Sequence, residues 1–276
     1  MVRGLYFIAE IGINHNGDLN IAKKLIDASH ATNWDCVKFQ KRNPDVCVPD
    51  KQKNIIRDTP WGKIPYIEYK HKVEFGKDEY DEISKYCREK NIDWTVSVWD
   101  IDSVDFIKNY DVPFIKIPSA MLTNYELIES TINLNKHIIL STGMSTLDEI
   151  DKAVDVMKGN CKYTLLHCNS TYPAKDDELN LRVINTLQKR YDCPIGYSGH
   201  ERDLEAPLIA ITLGARIIER HVTLSHEMWG TDHQSSLEVH AMDMLKKRAD
   251  KVLPMLGSEI KTITDGEISV REKLRG

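Results

Sequence analysis

Short apolar runs recur along the chain at Leu5–Ile11, Trp34–Phe39, Trp94–Val98, Pro113–Ile117, His137–Leu140, Tyr163–Leu166, Pro194–Tyr197 and Ala215–Ile218. Each is short and rich in β-branched or aromatic residues, the signature of a buried strand rather than a helix. The stretches between them repeat their apolar residues at helical spacing. Leu19, Ala22, Leu25 and Ile26 share one face, as do Leu147, Ile150, Ala153, Val154 and Met157, and Lys77–Lys90 reads as a further helix. Strands alternating with amphipathic helices predict parallel strands joined by crossover helices. Eight such pairs predict an α/β fold of the TIM (β/α)8 barrel type, a single domain over residues 1–276, with a doubly wound open sheet as the alternative. Residues 41–75 break the pattern with Pro44, Pro49, Pro60, Pro65, Trp61 and Tyr66, and they read as a long loop over the barrel mouth.

Composition narrows the class without naming a chemistry. The 276 residues carry 37 Lys plus Arg against 42 Asp plus Glu, a formal charge of -5, so no basic field gathers nucleic acid or anionic lipid. The first apolar stretch is interrupted by Glu10, and no run has the length of a membrane span. Six cysteines at 36, 47, 87, 161, 168 and 193 form no CxxC pair, which points to a reduced, cytoplasmic protein with small buried thiols.

The chemistry enters where strands that should be apolar turn polar at their C-terminal ends, the end at which such barrels carry their sites. Glu10 follows Phe7-Ile8-Ala9, Lys38 sits between Val37 and Phe39 with Gln40 beyond, and Ser97 closes the third run. Lys116 lies between Ile115 and Ile117 with Ser119 after it, Ser141 ends the fifth run, and Ser170 and Tyr172 follow the sixth. Ser198 and His200 end the seventh, and Glu219, Arg220 and His221 end the eighth. An outward, snorkelling lysine is the alternative for Lys38 and Lys116. Two inward lysines among hydroxyls would instead hold a ligand with more than one negative charge. His200 and His221, on neighbouring strands, are candidate ligands for a divalent metal with open positions, against the alternative of two independently hydrogen-bonded histidines; His15, His167 and His233 compete as ligands. The run Ser141–Ser145 offers backbone N–H groups to an anion at a helix start, with Ser145 or Thr146 as the cap. His167 and Cys168 read as support for the sixth strand, and Trp61 and Trp99 as packing or sugar-pocket walls.

Eight ordered motifs carry a resemblance over nearly the whole chain. They are Phe7–Gly17 (FIAEIGINHNG), Val37–Gln40 (VKFQ), Ile115–Ser119 (IKIPS), Leu140–Met144 (LSTGM), Leu166–Cys168 (LHC) with Tyr172-Pro173, Gly196–His200 (GYSGH), Glu219–Thr223 (ERHVT) and Gly230–His233 (GTDH). The chain thereby resembles the sialic acid synthase (N-acetylneuraminate synthase) family. The resemblance implies a TIM barrel that condenses phosphoenolpyruvate with an aldehyde sugar, N-acetylmannosamine or a relative, to give a 2-keto-3-deoxy sugar acid and phosphate. It places the metal on His200 and His221, with Mn²⁺ as the leading choice among divalent ions. Phosphoenolpyruvate would be bound by Lys38, Ser97, Lys116, Ser119, Ser141, Ser170, Tyr172 and Ser198. Glu10 matches an active-site acid, Gln40 a polar neighbour of the lysine, and Asp232 a contact to the acceptor sugar.

The pattern also departs from the family. Ser97 and Ser170 stand for the usual Thr and Asn, and Met121 stands where an acceptor-binding acid is usual, so the acceptor is expected to differ. The chain ends at Arg275-Gly276, about where the family's linker to a C-terminal antifreeze-like domain begins. That domain's arginine would then come from a partner, in a homodimer or a separate subunit, or from Arg42, Arg57 or Arg202. Two rivals remain: another metal-dependent keto-acid synthase or aldolase with a different acceptor, and a partner barrel inactive without a second subunit.

Overall fold

A computed structural model describes residues 4–276. Eight parallel strands form its centre: β1 (Tyr6–Gly12), β2 (Cys36–Lys41), β3 (Asp93–Val98), β4 (Phe114–Ile117), β5 (His137–Ser141), β6 (Tyr163–Cys168), β7 (Ile195–Gly199) and β8 (Ile217–Thr223). They pair in chain order, and β8 returns to pair with β1, so the sheet closes into the expected TIM barrel rather than an open sheet. Crossover helices follow: α1 (Leu19–Ala31), α2 (Lys77–Lys90), α3 (Ile101–Ile107), α4 (Tyr125–Ile132), α5 (Leu147–Met157), α6 (Val183–Arg190), α7 (Glu205–Thr212) and α8 (Val239–Leu256). Capping sets several starts. Asp18 accepts from the first-turn amides of α1, and Thr146 forms a reciprocal box with Glu149 at α5, so the α5 cap is Thr146 while Ser145 Oγ donates to the Gly143 carbonyl.

Alternation along each strand divides the protein into two cores. Outward residues such as Val37, Phe39, Val96 and Ile115 pack against the helices in one continuous apolar layer. Inward residues Ile8, Cys36, Phe114, Ile139 and Leu166 fill the barrel floor. One step of two residues further along the strands, the same inward rows become Glu10, Lys38, Lys116, Ser141 and Cys168. The apolar floor thus supports a polar upper layer.

Residues 41–75 are not a structureless loop. They contain single-turn helices at Pro44–Cys47 and Asp50–Lys53, an antiparallel hairpin of Ile56–Thr59 with Gly62–Pro65, and a helix at Tyr66–Val73. No piece is long enough to display a period in the sequence. The excursion is tied down by Lys41 to Glu74 at 2.6 Å and by the edge-to-face packing of Tyr69 on Trp229, 5.1 Å apart, in the loop after β8. Among the described residues no helix is long and apolar enough to cross a membrane, and all six cysteines are free.

Candidate active site

Strand register brings the polar ends together. Glu10 is the lateral partner of Lys38 on one side and His221 on the other; Ser97 pairs with Gln40 and Lys116, and Ser198 with Cys168 and Glu219. A bulge between Glu10 and Gly12 turns the end of β1, with Gly12 at a φ of +56° so that Gln40 and His221 approach its backbone. One pocket at the C-terminal mouth collects Glu10, Lys38, Gln40, Ser97, Lys116, Ser119, Ser141, Ser170, Tyr172, Ser198, His200 and His221. Asp232 lies outside that lining, at the rim, where its charge acts on His221. Met121 packs against the outer core and does not line the pocket.

Both lysines point inward, because Val37, Phe39, Ile115 and Ile117 take the outward positions. Lys38 Nζ lies 2.5 Å from Glu10 and 3.7 Å from Glu219; Lys116 Nζ lies 3.8 Å from Glu219 and donates to Ser141 Oγ at 2.6 Å. Burial pushes Glu10 up, only partly offset by Lys38, so this carboxyl takes a proton readily. Burial acts the same way on Glu219, but Lys116 and Lys38 overcome it and hold Glu219 below the usual range. Lys116 is pushed down by its own burial, while Lys38, between two carboxylates, is raised against its burial. The arrangement therefore places cationic charge on Lys38, with one carboxyl kept ionised and the other poised to hold a proton.

Hydroxyls form a cradle beside Lys116. Ser119 Oγ accepts from the Gly143 amide at 3.0 Å, and Ser170 Oγ and Ser119 Oγ both occupy the space a side chain at 143 would need. The glycine is what lets three chain segments converge there.

The two imidazoles face each other with ring centres 5.5 Å apart. His200 Nδ1 is 2.5 Å from the Asn169 carbonyl, to which it donates, and Nε2 shares a hydrogen bond with Tyr172 OH at 2.7 Å; burial lowers the ring's pKa, but Cys168 and the Asn169 carbonyl outweigh it and raise it. His221 Nδ1 is buried with no partner, and burial pushes the ring's pKa down to about 3, so it is neutral. The competing histidines are engaged elsewhere: His15 stacks on Phe75 at 3.9 Å, His167 bonds the Leu179 carbonyl, and His233 bonds Thr223. Among the described residues no cluster of three or more His, Cys, Asp or Glu adds a further candidate metal group.

Some pocket residues carry no role in the sequence reading. Glu219, seen there only as a polar strand end, bridges the two lysines and accepts from Ser198 Oγ at 3.1 Å. Cys168 lines the pocket rather than merely supporting β6, with Sγ 3.8 Å from His200 Nδ1. Strand parity holds the signal for both, since Leu166 to Cys168 and Ile217 to Glu219 are two-residue steps on the inward face. Trp99 is a pocket wall, whereas Trp61 stays half exposed on the excursion.

The sequence model of the NeuB family matches residues 25–261. An N-acetylneuraminate-9-phosphate synthase of Drosophila melanogaster is 39% identical over 254 residues, covering 89% of this chain and 67% of the relative. An N,N'-diacetyllegionaminic acid synthase of Campylobacter jejuni is 36% identical over 266 residues, covering 94% and 80%. A crystal structure of N-acetylneuraminic acid synthetase from Leptospira borgpetersenii, in complex with citrate, superposes with a TM-score of 0.88 at 31% identity, covering 99% of this chain and 93% of that one. A truncated 3-deoxy-D-arabino-heptulosonate 7-phosphate synthase from Thermotoga maritima shares the fold at a TM-score of 0.70 and 15% identity. The chain belongs to the NeuB family and is a synthase of the transferase type.

Proposed function

We propose that the protein condenses phosphoenolpyruvate with an aldose, forming a 2-keto-3-deoxy sugar acid and releasing phosphate. The observation that carries this reading is the pair of buried lysines, set under a ring of serine hydroxyls and opposite Glu10 and two imidazoles in one pocket. Such a cavity is built for a small polyanion beside a polarisable oxygen. Relatives named for phosphorylated and for unphosphorylated products match the chain almost equally, so they leave open what kind of aldose is used.

Lys38 and Lys116 would hold the carboxylate and phosphate of phosphoenolpyruvate, and Ser119, Ser141 and Ser170 would donate to the phosphate oxygens. This fixes the methylene carbon towards the acceptor, so alignment supplies a large share of the rate. Ser97, Ser198 and Tyr172 complete the wall, and Gln40, donating to Glu10 at 3.2 Å, fixes the direction of that carboxyl. As the new carbon–carbon bond forms, positive charge develops at the second carbon of phosphoenolpyruvate, where the ionised Glu219 favours it. Glu10 orients the water that adds there, takes its proton and returns it to the former aldehyde oxygen; the adduct then expels phosphate as its new hydroxyl loses its proton and becomes the ketone. Asp232 at the rim would accept from a hydroxyl of the acceptor.

The orphaned His221 Nδ1, together with His200 Nε2 when that ring is deprotonated, fits a divalent metal with open positions for oxygen ligands. When bound there, a divalent metal, Mn²⁺ as the first choice, would supply Lewis-acid polarisation of the aldehyde oxygen. The test is phosphate release from phosphoenolpyruvate that depends on an added aldose, with the keto acid identified by mass and His221→Ala as the control. Release without any aldose, or release retained in that variant, would contradict the proposal.

A further inference from the structure

The geometry points to a second anion subsite at the pocket rim, formed by Arg42 and Lys70, that takes a phosphate carried by the acceptor sugar at the end remote from its aldehyde. This inference rests on the condensation proposed above and names the class of its acceptor: a phosphorylated aldose.

Arg42 follows the end of β2, and Lys70 sits on the helix Tyr66–Val73 of the excursion, so two distant segments bring two cations to one cleft. Arg42 links that cleft to the pocket, touching the pocket residues Gln40 and Trp99. Arg42 donates through its terminal nitrogen to Gln40, and Gln40 donates to Glu10, a line of contacts along which a sugar with its aldehyde beside Glu10 would reach the cleft with its far end. The Arg42 guanidinium is set flat on Trp99, 3.9 Å from the ring centre, which fixes its plane, and its buried Nε has no partner.

Lys70 is equally uncommitted. Its helix neighbours His71 and Lys72 pair with Asp45 and Glu68, whereas Lys70 has no ion-pair partner among the described residues. Its Nζ lies over the faces of Tyr66 and Tyr69, at 5.2 Å and 5.1 Å. Burial, and then the neighbouring Arg42, push its pKa down to about 8. The carboxylate that shares the cleft, Glu74, is occupied by Lys41 Nζ at 2.6 Å and by the Arg42 backbone amide at 3.0 Å. Asp232 acts on both cations from the rim but is bound by Thr231 Oγ at 2.7 Å and makes no ion pair with either.

Two partly buried cations without their own counter-ion leave a site that an anion completes. A phosphomonoester, with up to two negative charges and three terminal oxygens, matches a guanidinium and an ammonium together better than a singly charged carboxylate does.

The experiment separates the subsite from the reaction. Binding of glucitol 6-phosphate, glucitol and gluconate, none of which has an aldehyde, is measured by calorimetry on the protein with Mn²⁺ and phosphoenolpyruvate present. Glucitol 6-phosphate is expected to bind at least about tenfold tighter than glucitol, and Lys70→Gln to remove at least about tenfold of that binding. Lys70 touches neither Gln40 nor Trp99, so Lys70→Gln leaves the pocket wall in place; Arg42→Met is the second variant. Equal binding of glucitol and its phosphate, gluconate binding as tightly as the phosphate, or an advantage retained in both variants would overturn the subsite. In turnover, the ratio of kcat/KM for N-acetylmannosamine 6-phosphate over N-acetylmannosamine should fall in Lys70→Gln, and an unchanged ratio would also overturn it. If no aldose of either kind releases phosphate, the proposed reaction fails while calorimetry still decides the subsite.

Discussion

Glu219→Gln removes one negative charge from the centre of the barrel while keeping the shape of the side chain. Glu219 Oε1 lies 3.7 Å from Lys38 and 3.8 Å from Lys116. At an effective dielectric constant of about 20, each attraction is worth about 4.5 kcal/mol before desolvation is counted. Removing one partner of a buried ionic group costs about 3–5 kcal/mol net, because the remaining charges stay buried. Lys116 sets the upper limit, since burial already pushes its pKa down and it can shed its proton at a cost of about 1.4 kcal/mol per pKa unit. A loss of about 3–5 kcal/mol lowers the thermal midpoint by roughly 6–20 °C in a chain of this size. The assay is urea and thermal unfolding of both proteins, with and without saturating phosphoenolpyruvate. An anion between Lys38 and Lys116 substitutes for the missing carboxylate, so the ligand should raise the midpoint more in the variant than in the wild type. A wild-type midpoint, or a smaller ligand-induced rise in the variant, would refute the charge assignment.

Two further outcomes follow from the same coordinates. In Gly143→Ala the added carbon would displace the hydroxyls of Ser170 and Ser119, so losing one charge-assisted hydrogen bond of about 1.5–3 kcal/mol should raise KM for phosphoenolpyruvate roughly 10–150-fold. Initial rates at saturating aldose check this, and an unchanged KM would show that the cradle does not hold the ligand. His15 is buried against Phe75, and burial pushes its pKa down to about 3. The unfolded chain, with an imidazole pKa near 6.5, binds more protons between about pH 6.5 and 3, so stability falls as pH drops through that window by up to roughly 5 kcal/mol. Urea unfolding at stepped pH should show a shallower acid slope in His15→Asn, and identical slopes would mean His15 is not the group responsible.

The barrel is legible in the sequence because its signals are local and periodic. All eight strands fall on the apolar runs, and Lys77–Lys90 is a helix with the bounds its period gives. The inward direction of Lys38 and Lys116 is also legible, since apolar flanks on both sides of a lysine leave it the other face. Glu219 and Cys168 show where local reading stops: their inward parity is readable, but the bridge from Glu219 to lysines on two other strands depends on closure of the barrel. The excursion at 41–75 hides its helices and hairpin because each element spans too few residues for a period to emerge. Arg42 is readable as a candidate cation at the mouth, but its partner Lys70 is not, as only that excursion's path brings the two together.

The central claim is that a sugar aldehyde captures phosphoenolpyruvate and that water completes the reaction at carbon. The most direct measurement is the aldose-dependent release run in oxygen-18 water, with released phosphate analysed by mass spectrometry. Water adding to the second carbon leaves the original bridging oxygen on the departing phosphate, so the account predicts phosphate free of oxygen-18 and a keto acid labelled at its carbonyl before exchange. One oxygen-18 atom in each phosphate would mean attack at phosphorus, and would contradict the addition of water at carbon.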